Sequence, residues 1–331
     1  MQASPRHPLA TRGVLISAYL TVCLVWGSTY LAILWGLESF PPFTMAGIRF
    51  ILAGGALYGW RRLRGAECPK WSHWREAAII GTLMLCGSNG LICWSEQYVP
   101  SGIVALMAST VPLFILVFDA IWFSRTPVTA KTGAGLVVSL VGVGWLTGVG
   151  TDSWHFDIRG MMAVAAAPVL WAIGTLRSRG ARVVEDTIIG TAMQMISGGI
   201  ALLLVALALQ EPFQILDVSM RSLWALSYLI VFGSIIAYTA YTVLMRYGPA
   251  GPASTYALVN PVIAVLLGWT LGKEELGLRT IASGALILGG IALIRSTSPA
   301  RRQSHRPQLQ REEEAPGRTE CAADGSVAAL E

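Results

Sequence analysis

The residues of this sequence that could do chemistry are charged and polar side chains set in otherwise apolar stretches. Arg49 lies deep in such a stretch, Asp119 is the acid well inside another, and Glu96 lies near the end of a third. Charge is costly in an apolar environment, so it tends to mark a pathway for solute or protons, or an ion pair. As a structural alternative, Arg49 could pair with Glu96 or extend toward the surface. Asp119 could likewise pair with a nearby basic residue such as Arg125.

A second set of polar positions carries no charge. Asn260 stands beside Pro261 in the run STYALVNPVIAVLLGW, and Pro112 interrupts the run SGIVALMASTVPLFILVF. Proline kinks a helix and frees main-chain carbonyl groups, which can then face a polar solute. Together with Asn260, the side chains expected to line a passage for a polar or amphipathic solute are Asn89, Trp26, Trp171, Tyr98 and Tyr241. Hydrogen bonds between helices and packing of aromatic rings are the alternatives.

The sequence argues against metal, nucleotide and catalytic chemistry. The four histidines all lie outside the apolar runs, and no pair of the five cysteines has CxxC spacing. The chain contains no GxxxxGK[ST] sequence, so no P-loop for ATP is expected. An enzyme would be supported by paired carboxylates or a Ser–His arrangement, and the apolar runs contain neither. We therefore expect no cofactor and no metal centre.

Composition indicates that the folded chain has lipid as its solvent. Hydrophobic residues make up 54% and charged residues 13% of the 331 residues, against roughly 25% charged residues in soluble domains. In a membrane protein, the net charge of +5 indicates how the loops are oriented and not that the chain binds nucleic acid. No nucleic-acid partner is therefore expected. Apolar runs long enough to cross a bilayer as helices are predicted at 14–36, 43–60, 76–97, 102–124, 131–150, 160–177, 187–209, 222–245, 252–271 and 279–295.

Basic residues predict the orientation of these spans. If the N-terminus is cytoplasmic, the segments on the outer side hold only Arg159, Arg221, Lys273 and Arg279, and most other basic residues face the cytoplasm. This bias predicts that both ends of the chain are cytoplasmic. Residues 1–13 would form the cytoplasmic N-terminus. Residues 296–331, rich in Arg, Gln, Glu and Pro, are expected to be a disordered cytoplasmic tail.

The chain repeats itself at a spacing of 149 residues. The first-copy residues Tyr98, Pro100, Gly102 and Pro112 match Tyr247, Pro249, Gly251 and Pro261. Residues 14–150 and 160–295 are therefore interpreted as two copies of one five-helix unit. Because five is odd, the second copy must enter the membrane inverted, and the two prolines would meet near the midplane. The predicted fold is an all-α integral membrane protein of ten transmembrane helices in two inverted five-helix repeats.

A family resemblance is carried by five stretches, which read VWGSTYLAI, AGIRFILAG, SGIVALMASTVPLF, GSIIAYTAYTVLMR and PASTYALVNPVIAVLLG. They resemble the EamA family of the drug/metabolite transporter superfamily, over residues 14–295. The resemblance implies a ten-helix fold with a central cavity lined mainly by spans 1, 3, 4, 6, 8 and 9. It also implies transport of small metabolites or drugs, most often outward.

The chain departs from the family pattern at acidic positions. Members often have a Glu soon after span 4 and again after span 9. Here Glu274 or Glu275 fits the second place, whereas SRTPV at the first place has no carboxylate. Many members also have Glu before the proline of span 9, where this chain has Asn260. If transport is coupled to protons, Asp119 and Glu96 are therefore the expected carriers.

The expected function is secondary transport of a small metabolite or drug-like solute across the cytoplasmic membrane by alternating access, with export favoured. The alternatives are a membrane-embedded enzyme acting on a lipid-linked substrate, a passive facilitator, and a non-transporting scaffold or receptor. The expected partners are a small-molecule solute, the lipid bilayer and, in a coupled mechanism, protons. Ten spans in one chain can enclose a passage, so the protein is expected to be a monomer or a homodimer.

Overall fold

The computed structural model describes residues 11–123, 129–147, 157–180, 184, 186–214, 217–247 and 256–297. Residues 1–10 of the predicted N-terminal segment and residues 298–331 of the predicted tail lie outside the described residues. The first described helix already begins at Arg12, and the last one ends at Thr297. The regular structure of the described residues is helical throughout, without a strand.

The helices are numbered in chain order. They are α1 (Arg12–Gly36), α2 (Pro42–Leu63), α3 (Trp71–Ser95), α4a (Ser101–Ala108), α4b (Val111–Phe118), α5 (Ala130–Thr147), α6 (Ile158–Gly180), α7 (Thr187–Ala208), α8 (Met220–Tyr247), α9 (Tyr256–Thr270) and α10 (Leu278–Thr297). A π-helical turn, Asp119–Phe123, continues α4b. Three further π-helical turns lie inside helices, at Val22–Trp26 in α1, Thr82–Asn89 in α3 and Leu229–Ile236 in α8.

Six of the described helical stretches are long and apolar enough to cross a membrane, and they comprise α1, α3, α4a with α4b and the turn after it, α6, α7 and α8. The shorter apolar helices are α5, α9 and α10. The 22-residue α2 carries Arg49 within it and Arg61 and Arg62 in its last turn. Large apolar side chains also cover outward faces of the bundle; Leu24 and Leu204 are each 61% exposed. The protein is therefore an all-helical membrane protein.

Small residues set the closest helix contacts. The two most extensive pairings are α5 with α10 and α2 with α7. A Cβ atom built on Gly54 of α2 would lie 2.8 Å from the Cβ of Met195 in α7, and one on Gly135 of α5 would lie 2.7 Å from the carbonyl oxygen of Gly290. Such distances leave no room for a side chain, so glycine lets these backbones approach each other.

Two ion pairs join helix ends on one side of the bundle. Arg61 at the end of α2 pairs with Asp186, which directly precedes α7. Arg177 near the end of α6 pairs with Glu76 in α3, with Nη2 and Oε2 2.6 Å apart. These four residues therefore connect the helices that end and begin at this side of the bundle.

Candidate functional site

A cavity lies in the centre of the bundle. Its walls come from α1, α2, α3, α4a, α6, α8 and α9, and from the start of α4b. The six spans named by the family resemblance contribute, and α2 adds Arg49 and Phe50.

The π-helical turns place residues at this cavity. Trp26 is the last residue of the turn in α1, Asn89 is the last residue of the turn in α3, and Gly233 lies within the turn in α8. All three residues line the cavity. A π-helical turn widens the helix locally and changes the direction of the side chains that follow it, and such turns recur at functional sites.

Aromatic rings from several helices form a cluster at the cavity. The rings of Trp26 and Trp171 meet edge to face with centroids 5.8 Å apart. The ring of Trp26 also lies 4.9 Å from that of Tyr241 and 5.8 Å from that of Tyr256. Trp26, Trp171 and Tyr256 line the cavity, whereas Tyr241 lies behind them as a support. This aromatic cluster, which also includes Tyr238, offers flat apolar surface to a solute.

The indole nitrogen of Trp26 is held by a hydrogen bond. It donates to the carbonyl oxygen of Gly233 at 3.2 Å. The hydroxyl group of Tyr238 donates to Oε1 of Gln194 at 2.8 Å. Both aromatic side chains are therefore fixed by polar contacts as well as by packing.

Arg49 brings a positive charge to the cavity wall. The residue is only 4% exposed. Its Nε atom donates to Oγ of Ser234 at 2.7 Å, and its Nη1 atom has no hydrogen-bond partner among the described residues. The guanidinium also stacks on the ring of Phe50, with Cζ 4.8 Å from the centroid. Within the described part of the chain, no ion pair joins Arg49 to Glu96.

Glu96 lies next to the cavity but does not line it. It is 4% exposed, and neither carboxylate oxygen has a hydrogen-bond partner among the residues that the structure describes. Asp119 is half-buried in the π-helical turn that follows α4b, and it does not line the cavity. Glu96 directly follows α3 and Asp119 directly follows α4b. Neither of the two acids expected to carry protons therefore lines the cavity.

The two asparagines expected at the site both line the cavity. Asn260 is 7% exposed. Its amide nitrogen, in the orientation that satisfies its surroundings, donates to the carbonyl oxygens of Tyr256 and Cys23 at 3.1 and 3.2 Å. Asn89 accepts a weak hydrogen bond from the thiol of Cys93, 3.7 Å away. Tyr98, in contrast, packs on Trp94 outside the cavity wall, with ring centroids 4.9 Å apart.

The prolines occupy different settings. Pro112 is the second residue of α4b. A two-residue break at Ser109 and Thr110 separates α4a from α4b. Pro261 lies inside α9 and lines the cavity. Pro168, inside α6, lines the cavity as well and was not among the residues selected from the sequence.

Sequence reasoning also missed Tyr256 and Gly233 as site residues. Tyr256 lies four residues before Asn260, which is one helical turn, so the helical period could have placed it on the face of Asn260. Gly233 had no comparable signal, because its importance depends on the π-helical turn and on the approach of α2.

Glu274 caps the N-terminus of α4a at one end of the bundle, which we call the capped end. It lies between α9 and α10 and accepts hydrogen bonds from the main-chain N–H groups of Ser101 at 2.6 Å and Gly102 at 3.1 Å. A carboxylate at a helix N-terminus satisfies free N–H groups and interacts favourably with the helix dipole. Glu211 caps α2 in the same manner, accepting from the N–H of Thr44 at 2.8 Å.

The apolar helices and the central cavity between them define a class of protein, the integral membrane transporter. Within that class, the sequence model of the EamA-like transporter family matches residues 13–148 and again residues 158–296. The chain belongs to this family.

Relatives agree with this assignment, and a solved structure agrees with the fold. The uncharacterized inner membrane transporter YedA of Escherichia coli (strain K12) is 36% identical over 279 residues, covering 82% of this chain and 88% of the relative. An uncharacterized transporter of Archaeoglobus fulgidus is 25% identical over 81% of this chain and 94% of its own. One crystal structure superposes with a TM-score of 0.62 at 24% identity, over 88% of this chain and 100% of the other, which supports the fold alone.

Proposed function

We propose that this protein is a secondary transporter that moves a small amphipathic metabolite out of the cell by alternating access. The observation that carries the proposal is the central cavity, closed at the capped end and walled by aromatic rings and amides. Secondary transporters place their substrate site at the midplane between two structural repeats. In this proposal the cavity is that site, and the protein is a carrier rather than an enzyme.

The repeats are proposed to be two five-helix units of opposite orientation. The double match of one family model supports two copies. The extensive pairings α2–α7 and α5–α10 join corresponding helices of the two halves. Trp26 and Trp171, at equivalent places in the halves, also meet in the cavity. In this topology ten helices cross the membrane, both ends of the chain are cytoplasmic, and the capped end faces outward.

The packing of the two parts of helix α4 supports alternating access. At the capped end α4a packs against α9, with Gly102 beside Val265. Beyond the break, α4b packs against α6 and has no comparable contact with α9 among the described residues. Among the described residues, α4a and α9 thus pack together at the capped end, and no comparable contact between α4b and α9 is found toward the opposite side. We assign this arrangement to the inward-facing state of an exporter, ready to take solute from the cytoplasm.

Roles in transport follow from position. Asn260, Asn89, Trp26 and Trp171 are proposed to contact the solute, and Tyr241 and Tyr98 to support the wall. Pro112 and Pro261 are proposed to allow the helix bending that transport requires. Glu96 and Asp119 are proposed as proton carriers in a coupled mechanism, and the single chain is proposed to act as a monomer or within a homodimer.

The test is transport by purified protein in liposomes with a panel of labelled small metabolites and dyes. We expect saturable flux of at least one solute. Trp26→Ala should lower this flux by roughly 10-fold or more, because an aromatic anchor of a binding site is removed. Trp224→Ala is the matched control, since Trp224 is 71% exposed and lies away from the cavity. Equal effects of the two substitutions, or conversion of a solute into a product, would contradict the proposal.

A further inference from the structure

Arg49 is the charged residue of the cavity wall. The described residues that line the cavity include no aspartate, glutamate, lysine or histidine. The acid near Arg49, Glu96, attracts its charge but forms no ion pair with it among the described residues, and Glu96 does not line the cavity. The cavity therefore presents one positive charge that no lining carboxylate neutralises.

The guanidinium has a free donor at this position. Nε is used by Ser234, and Nη1 has no partner among the described residues although the side chain is 96% buried. A buried charged donor without a partner is unfavourable. A planar guanidinium binds a carboxylate through two parallel hydrogen bonds better than any other side chain does. A solute carboxylate would supply the partner that the protein leaves out.

The charge and the aromatic cluster meet at the same two residues of α8. Gly233 accepts the hydrogen bond of the Trp26 indole, and a Cβ atom built on Gly233 would lie 2.9 Å from Nη2 of Arg49. The next residue, Ser234, accepts from Nε of Arg49. Trp26 and Arg49 therefore both contact the same turn of α8, so the aromatic cluster and the guanidinium are neighbours in the cavity wall.

We infer that the solute is an organic monoanion with a flat apolar ring and one carboxylate, whose ring packs on the aromatic cluster while Arg49 binds its carboxylate. This inference rests on the proposed function and names its substrate class. It predicts that solute charge, and not only solute size, determines which solutes the cavity accepts. A neutral solute of the same shape leaves the guanidinium unpartnered, and a cationic one is repelled.

The experiment compares three ligands that differ in one group. Indole-3-acetate, indole-3-ethanol and tryptamine share the indole ring and a two-carbon chain but carry a carboxylate, a hydroxyl and an ammonium group. Binding is measured with labelled compounds and purified protein in lipid nanodiscs at pH 7. We expect indole-3-acetate to bind about 10-fold or more tightly than the alcohol, which is the effect of one charge-assisted hydrogen bond. Tryptamine should bind more weakly than the alcohol.

Substitutions test whether Arg49 causes the preference for the acid. Arg49→Gln should abolish the preference for the acid while the alcohol still binds, and Arg49→Lys should restore it in part because the charge is kept. Gly233→Ala should lower the preference by displacing the guanidinium. Gly289→Ala is its matched control, because a Cβ atom on Gly289 meets nothing within 4 Å. If Arg49→Gln does not yield folded protein, the three ligands on the unaltered protein decide the question alone.

Several outcomes would overturn the inference. They are equal binding of the acid and the alcohol, tighter binding of tryptamine, an unchanged preference in Arg49→Gln, equal loss of all three ligands in that variant, and absence of saturable binding. None of these outcomes touches the proposed transport function, which the liposome panel tests separately. Saturable flux of a cationic solute in that panel, for example, would support transport and reject the monoanion.

Discussion

Asp186 illustrates how one carboxylate can serve two purposes at a helix end. It caps α7 by accepting hydrogen bonds from the N–H groups of Ile188 at 3.0 Å and Ile189 at 3.2 Å. It also accepts a hydrogen bond from Nε of Arg61 at 2.8 Å. Burial would raise the pKa of Asp186, but the hydrogen bonds from Arg61 and from these two N–H groups together lower it below its ordinary value.

A lowered pKa makes stability depend on pH in a defined direction. Because the folded state holds Asp186 ionised, its contribution is fully present above the unfolded pKa of about 3.9. The contribution is lost as the pH falls through the lower pKa of the folded state. We therefore expect Asp186→Ala to cost about 1 kcal/mol near neutral pH, mostly through the lost cap.

Asp186→Asn separates the two interactions, because asparagine is also a good helix cap. We expect it to destabilise the protein less than alanine does and to flatten the acid side of the stability profile. Thermal unfolding in detergent between pH 3 and pH 7 measures both effects. An unchanged acid transition in both variants would contradict this assignment.

Among single residues, the sequence could identify those whose polarity differs from that of the apolar residues around them. Arg49 and Asn260 stand out because charge and amide groups are rare in apolar runs, and both lie at the cavity wall. The contacts of Glu274 with Ser101 and Gly102 could not be read from the sequence, since they join residues more than 170 positions apart. Such contacts depend on which helices pack together in the fold, and a short stretch of sequence does not show this.

Among the elements, the contact of Glu274 with α4a joins the α9–α10 connection to α4a at the capped end. We expect Glu274→Gln to weaken it, because the single amide oxygen can accept from only one of the two N–H groups and without the charge, while the amide nitrogen cannot accept from the other. The population with the capped end open should rise by about 10-fold or more, which corresponds to the typical value of a hydrogen bond to a charged group. Distances between spin labels at Gln97 and Leu271 would report the opening.

The control for this variant is Glu275→Gln. Glu275 is exposed and directly follows Glu274, so the substitution changes the net charge equally without touching α4a. If both variants give the same distance distribution as the unaltered protein, Glu274 does not hold the capped end.

The contact of α2 with α7 depends on glycine at one of two adjacent positions. On Gly54, a Cβ atom would lie 2.9 Å from the carbonyl oxygen of Ala192, whereas on Gly55 it would meet nothing within 4 Å. Gly54→Ala should therefore destabilise the protein by about 1–3 kcal/mol, the usual cost of overpacking. Gly55→Ala should be neutral or stabilising by up to about 1 kcal/mol, because alanine favours the helix. Thermal unfolding of both variants measures the difference, and equal melting temperatures would contradict the packing.

The existence of the helices follows from long apolar runs, since a chain segment in lipid must satisfy its own main-chain hydrogen bonds. Their internal irregularities do not follow in the same way. The π-helical turns in α1, α3 and α8 have no sequence signature comparable to a proline, although they position Trp26, Asn89 and Gly233. The break before Pro112 is different, because proline has no main-chain N–H to donate to the carbonyl group of Ala108, the last residue of α4a.

For the whole molecule, the proposed inverted topology makes a prediction that requires no ligand. Reporter fusions in residues 64–70 and 181–185 should both lie in the cytoplasm, and fusions in residues 152–157 and 211–219 should lie outside. An alkaline phosphatase reporter is active outside and a fluorescent protein is bright inside, so the two reporters give opposite signals at each site. Opposite locations of the first two sites would reject an odd number of spans in each half.

The α5–α10 pair joins the last helix of each half of the molecule. Gly135 packs on Gly290, and Oγ of Ser139 donates to the carbonyl oxygen of Ile287 at 3.2 Å. In the described part of the chain, α5 has extensive contact with α10 alone. We expect this close packing to hold the halves together even when the peptide that connects them is cut. Two genes that encode the halves separately should therefore yield partners that find each other in the bilayer and rebuild a working carrier.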